Sequence, residues 1–123
     1  MQPLDVAVLQ RAVDDVTARH ESLRMTVSTT PPGFRLAPVM AVPVTVHDLT
    51  GAADVAAQHD AVIRSFNQEP MDFAHGPLWR VGVVREPARD VLVLAVHHLI
   101  CDGWSFGVLL RELSDCYAAR AAG

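Results

Sequence analysis

The stretch Val91–Gly103, VLVLAVHHLICDG, decides how the rest of the chain is read. Its first six residues are apolar without a break, a pattern that suits a central β-strand buried on both faces. The run leads straight into two adjacent histidines, His97 and His98. Side chains alternate along a strand, so a strand continued through both rings turns them to opposite faces. Leu92, Leu94 and Val96 then share the His98 side, which places an imidazole at the end of an apolar wall. Desolvation in such a place favours the uncharged ring, the form a general base needs near neutral pH. Asp102 follows at a turn, close enough to bend back toward the strand end, and Gly103 permits tight backbone there. A carboxylate so placed can orient a ring or pair with an arginine.

Outward from this stretch the chain alternates helical and extended patterns. A last helix is expected from Ser105 to about Arg120, with Phe106, Leu109, Leu110, Leu113 and Tyr117 inward. Before the central run, Leu78–Arg85 reads as a strand closed by a loop at Pro87. A helix from about Ala52 to Asn67 puts Ala52, Val55, Val62 and Phe66 on its inner side and stops before Pro70. Val42–Leu49 and Phe34–Ala37 read as strands bordered by proline, hence peripheral. Pro31-Pro32-Gly33 reads as a turn, and Arg24–Ser28 as a short β-prone stretch. Asp5 can cap a first helix whose Val6, Leu9, Val13 and Val16 fall on one face and whose pattern ends near His20. The order is that of an α/β layered unit, a mixed sheet with three principal helices against it.

The chain has 123 residues, half of them hydrophobic, a net charge of -4 and no lysine. That length is one domain or less, since domains run roughly 100–200 residues. Its ten arginines are scattered, whereas nucleic-acid binders carry clustered basic patches. No apolar run reaches the ~18 residues of a membrane span, and no secretory signal is visible. Cys101 and Cys116 form neither a disulfide framework nor a CxxC pair, which favours a reducing, cytoplasmic setting. Both read as small buried hydrophobes. Adjacent strand histidines diverge, so a zinc site, which needs three or four converging ligands, is not expected. His20, His47, His59 and His75 show no metal-ligand spacing.

HHLICDG resembles the HHxxxDG signature of chloramphenicol-acetyltransferase-like enzymes, above all the condensation domains of nonribosomal peptide synthetases. Its flanks resemble the same family. PLDVAVLQRAVDDVTARHESLRMTV (Pro3–Val27) is similar to the family's first helix and RHExLR motif. MDFAHGPLWRVGVVR (Met71–Arg85) is similar to the segment before the active-site strand, and DGWSFGVLLREL (Asp102–Leu113) to the helix after the signature. The resemblance implies a chloramphenicol-acetyltransferase-like lobe and amide-forming acyl transfer between carrier-bound thioesters. On it, His98 is the catalytic residue, accepting a proton from or positioning the acceptor amine, and His97 is structural. Asp102 holds the site through a salt bridge, and the Gly103 N–H helps the tetrahedral oxyanion. Arg19 and Arg24 are structural or pocket-shaping and not catalytic, Trp104 shapes the pocket, and Trp79 is core or tunnel edge. No cofactor binds directly; the substrates arrive on phosphopantetheine arms of carrier proteins.

The resemblance also implies a partial domain. Residues 1–123 cover most of an N-terminal lobe, without the family's first segment or its second lobe. Apolar surface left open in this way usually finds a partner, so self-association or pairing with the second half is expected. Two other functions fit the same residues. One is a coenzyme-A-dependent acyltransferase of this fold, and the other a non-catalytic truncated interaction module.

Overall fold

Asp5 opens the first helix by accepting hydrogen bonds from the N–H groups of Ala7 and Val8, at 3.0 and 3.2 Å. This satisfies two donors that a helix start otherwise leaves unpaired. The structure, a computed structural model, describes residues 3–97 and 106–123. In chain order it holds α1 (Val6–Arg19), a 3₁₀ turn (Glu21–Arg24), β1 (Met25–Thr29), β2 (Pro32–Leu36) and β3 (Thr45–Asp48). Then come α2 (Val55–Gln68), β4 (Trp79–Arg85), β5 (Asp90–Val96) and α3 (Phe106–Ala121). As expected, the fold is α/β with three helices against a mixed sheet.

That sheet has the order β3-β4-β5, with β3 parallel and β5 antiparallel to β4. β4 is therefore the central strand, and alternation along it feeds two cores. Trp79, Val81 and Val83 join Leu92, Leu94 and Val96 under α1 and α3, against Leu9, Val13, Val16, Leu109 and Leu113. Val84 and Val93 face the other way, onto Phe66 of α2 and Leu49. Burying each such aliphatic side chain contributes about 1.5–3 kcal/mol. Helices thus cover both faces of the sheet.

Several expectations are corrected here. Among the described residues Val91–Val96 pairs with β4 alone, at the edge of the sheet and not at its centre, and in β5 only Val93 is buried. Its apolar run reflects helix layers on both faces; its neighbour β4, paired on both sides, is buried more completely. The extended stretch Val42–Leu49 forms ladder pairs only over Thr45–Asp48. Val42 is buried outside the sheet, because the Gln10 amide binds both the Val42 carbonyl (2.9 Å) and the Val44 N–H (2.8 Å) as a strand would.

Pro32 and Gly33 begin β2, so the turn sits at Thr30–Pro31. β1 and β2 form a separate two-stranded antiparallel ribbon. Arg24 ends the 3₁₀ turn and is not in the strand. α2 starts at Val55, not Ala52, because the Asp54 carboxylate caps the Ala57 N–H. On α3, Leu109 and Leu113 are buried and Tyr117 partly so. Phe106 and Leu110, expected inward, stand 44% and 39% exposed. The start of that helix at Ser105 lies outside the described residues. Trp79 is wholly buried core, and Cys116 is a buried free thiol.

Candidate active site

The C-terminal end of β5 delivers His97 to the rim of an open cleft of about 570 Å³. The His97 N–H donates to the Leu78 carbonyl at 2.9 Å, which carries the β4–β5 pairing one residue past the strand. Its ring meets Phe73 edge-on, with centroids 5.0 Å apart and planes at 88°. Edge-to-face geometry sets the positive rim of one ring against the negative face of the other. Val96, Ala95 and Leu94 line the same cleft, as do Phe106 at the start of α3, Met71 and Pro70. The cleft is therefore bounded by the two elements that flank residues 98–105.

His98, Asp102, Gly103 and Trp104, together with Cys101, lie outside the described residues. The alternation inferred for the preceding strand does hold, since Leu92, Leu94 and Val96 all pack on the α1/α3 side. His97 is the one member of the signature whose surroundings are described: its backbone is bonded to Leu78 and its ring packs edge-on against Phe73.

Arg24 is a structural residue. Its guanidinium donates to the carbonyls of Thr17 (3.1 Å), Ala37 (2.8 Å) and Ala18 (3.4 Å), fastening the end of α1 to the exit of β2. Arg19 is exposed in the last turn of α1, near enough to Asp15 to help lower that carboxyl. Neither arginine lines a described cleft. His20, in the same motif, contacts Glu112 of α3, and Arg120 grips Asp15 with two 2.8 Å hydrogen bonds. The element that follows the signature is thus held to α1 by two side-chain pairs.

Phe73 was not singled out from sequence. The one signal for it was its place in the Met71–Arg85 segment that precedes the active-site strand. The segment is well ordered by its own bonds. Asp72 accepts from the N–H groups of Ala74 and His75, both at 3.1 Å, and meets His75 Nδ1 at 2.9 Å. The His75 side chain, followed by its backbone N–H, holds the Asp72 carboxyl below its usual value. Gly76 closes the turn at φ 71°, a left-handed backbone conformation that favours glycine. Among the described residues no three His, Cys, Asp or Glu side chains converge as a metal site. No described helix is long and apolar enough to cross a membrane.

With this geometry in place, the comparisons name the family. The condensation-domain profile matches residues 1–123. Chondramide synthase of Chondromyces crocatus is 37% identical over 97% of this chain, which covers 3% of that protein. The starter condensation domain of rhizomide synthetase superposes over 98% of this chain with a TM-score of 0.84 and 26% identity, and 30% of it is covered. The SgcC5 protein from Streptomyces globisporus, solved with a naphthyl ethanediol and sucrose, gives 0.76 and 30% identity over 98% of this chain and 28% of that one. The chain belongs to the condensation-domain family. It spans 3% or less of the length of the curated relatives it matches and under a third of these solved chains.

Proposed function

We propose that this chain forms part of a condensation domain that makes an amide bond, moving an acyl group from one carrier-bound thioester to the amine of another. The observation that carries this reading is the family match along residues 1–123, joined to a strand that ends in His97 at an open cleft. In this mechanism His98 takes a proton from the acceptor α-amino nitrogen, or holds that nitrogen, as its lone pair attacks the donor thioester carbonyl. The tetrahedral oxyanion collapses with loss of the thiolate, which leaves on its phosphopantetheine arm. The Gly103 N–H meets the oxyanion. Asp102 keeps the segment in shape through an ion pair, and Trp104 shapes the pocket. His97, held by Leu78 and Phe73, keeps the strand end in register.

The partners are acyl or peptidyl carrier proteins, and the setting is cytoplasmic. We take residues 1–123 as most of one lobe of a two-lobed tunnel. Phe106, Val108 and Leu110 stand exposed on one helix, which supports a second lobe, or a second copy, packing nearby. A clean monomer in gel filtration at high concentration would count against such pairing by the isolated chain.

A second reading has one observation in its favour. The structural relative SgcC5 was solved with a free diol, which suits an acyltransferase with an untethered alcohol or amine acceptor and coenzyme A as donor carrier. Assaying acyl-carrier protein against acyl-coenzyme A, with tethered and free acceptors, separates the two. The decisive experiment for either measures amide or ester formation by the chain completed with its second lobe, with and without His98→Ala. Loss of turnover in that variant supports catalysis at His98. Full turnover without the imidazole overturns it, and no turnover in either protein favours a non-catalytic module.

A further inference from the structure

Residues of an antiparallel ribbon alternate between pairs that bond across it and pairs whose backbone groups point away. The Ala37 N–H donates to the Arg24 carbonyl at 2.9 Å. In the ribbon's register this makes Thr26 with Arg35, and Ser28 with Gly33, the pairs bonded across. Val27, opposite Phe34, must then send its N–H outward, and it donates to the Phe73 carbonyl at 2.6 Å. By the same parity the N–H and carbonyl groups of Phe34 and Leu36, with the Pro32 carbonyl, point out along the far side of β2. Among the described residues no strand pairs with that side. The turn at residues 72–76 thus occupies one edge of the ribbon, and the other stands open.

An open edge is a template for another strand, and proteins commonly blunt it with charged side chains. Here the outward-bonding positions are apolar: Phe34 is 55% and Leu36 49% exposed, on the ribbon face shared with Met25 and Val27. Prolines at 32 and 38 bracket them, which restricts the registers a second strand can take. The stretch between is complementary to itself. Two antiparallel β2 strands centred on Phe34 let each Phe34 exchange both backbone bonds with its counterpart. Each Leu36 N–H meets the Pro32 carbonyl of the other copy, and Arg35 stands opposite Gly33. Centring on Arg35 instead sets two guanidinium side chains against each other, which is destabilising. Centring on Leu36 requires the strand to run on to Pro38, where the chain bends. We propose that β2 pairs antiparallel with β2 of a second copy about a two-fold axis at Phe34, fusing two ribbons into one sheet. The contact is isologous, so it closes as a dimer. It lies on a different element from the exposed side chains of α3 and does not depend on the reaction.

One short strand per copy is a small interface, so the test is sedimentation of the 123-residue chain over about 10 μM–1 mM, the range of weak complexes. A reversible dimer is expected. Phe34→Lys places like charges at the axis and should raise the dissociation constant about tenfold or more, whereas Leu110→Lys on α3 should leave it unchanged. Phe34 is exposed, so its variant should keep the wild-type circular dichroism. Register is read by cross-linking. A bonded antiparallel pair sets its Cα atoms about 5.5 Å apart, within disulfide reach. Phe34→Cys should therefore give a covalent dimer on mild oxidation, beyond any formed by the unsubstituted protein. Arg35→Cys, whose side chain leaves the opposite face, should not. If Phe34→Lys fails to fold, the comparison of the two cysteine variants decides alone. A monomer up to 1 mM leaves the edge to some other strand and overturns self-pairing. A dimer indifferent to Phe34→Lys, or one that Arg35→Cys cross-links as well as Phe34→Cys does, overturns it too.

Discussion

The imidazole of His97 stands edge-on to the ring of Phe73, the centroids 5.0 Å apart and the planes 88° from one another. The contact joins the end of β5 to a turn that sequence reading passed over, and it fixes one wall of the cleft. Such a pair contributes about 0.5–1.5 kcal/mol beyond its buried area. Phe73→Ala should therefore lower stability by about 1 kcal/mol and Phe73→Leu by less, measured as a shift of the urea midpoint at constant slope. No change with Phe73→Ala would mean the pair is not formed in solution.

Arg24 offers a sharper case. Its guanidinium reaches three carbonyls on two segments. Hydrogen bonds to charged groups contribute roughly 1.5–3 kcal/mol each before losses in cooperation, so Arg24→Ala should cost about 2–3 kcal/mol. Arg24→Lys should not rescue it, because a single ammonium cannot reproduce the fork. Chemical denaturation of the three proteins checks this, and full recovery by lysine would refute the fork.

Gly82 sits in the middle of β4 beneath α2. A Cβ built there lies 2.8 Å from Phe66 Cε2 and 3.0 Å from Thr45 Oγ1. Gly82→Ala should cost about 1–3 kcal/mol by overpacking. Combining it with Phe66→Leu should cost less than the sum of the two single changes, as expected for residues in contact. Strict additivity in that cycle would place Phe66 elsewhere.

The Asp15 carboxyl is held below its ordinary value, first by its hydrogen bond from Arg120. A folded-state value depressed in this way stabilises the protein above the unfolded carboxyl's value, near 3.9, and the contribution is lost as pH falls through the folded value. Asp15→Asn should therefore be slightly less stable than wild type at pH 7, with the gap closing as acid is added below about pH 4. The pair is half exposed, so the effect is small and salt shrinks it. Thermal melts at pH 7 and pH 3 measure the gap; one that persists unchanged at pH 3 would assign it to another cause.

How much of this was legible from residues alone varies by element. Helix α1 was, because its stripe of Leu9, Val13 and Val16 and its Asp5 cap are local signals. The strand before the histidines was also legible, together with the sharing of one face by Leu92, Leu94 and Val96. Its place in the sheet was not. The same apolar run fits a central strand and an edge strand covered by helices on both faces, and only the strand order, β3-β4-β5 among the described residues, distinguishes them. Val42 misled for a related reason, since the amide that satisfies it comes from Gln10, on a different element. Phe106 and Leu110 carried the helical period of a buried stripe and are exposed, because residue type does not report which neighbour is close by. Of the candidate site, the motif was plain and the cleft was not: Phe73 and Met71 become its walls only through the turn that follows α2.

The anchoring of the chain's early residues has a consequence for how the protein is made. Leu4 N–H donates to Asp90 at 2.7 Å, the Leu4 carbonyl accepts from Arg85, and Asp5 N–H donates to the Tyr117 hydroxyl, 112 positions downstream. A ribosome adding about 5–20 residues each second therefore needs on the order of 5–20 s to supply α1 with its last partner. Through that interval the greasy side of α1 waits without its final cover, so the nascent polypeptide is a natural client for chaperones until α3 has emerged.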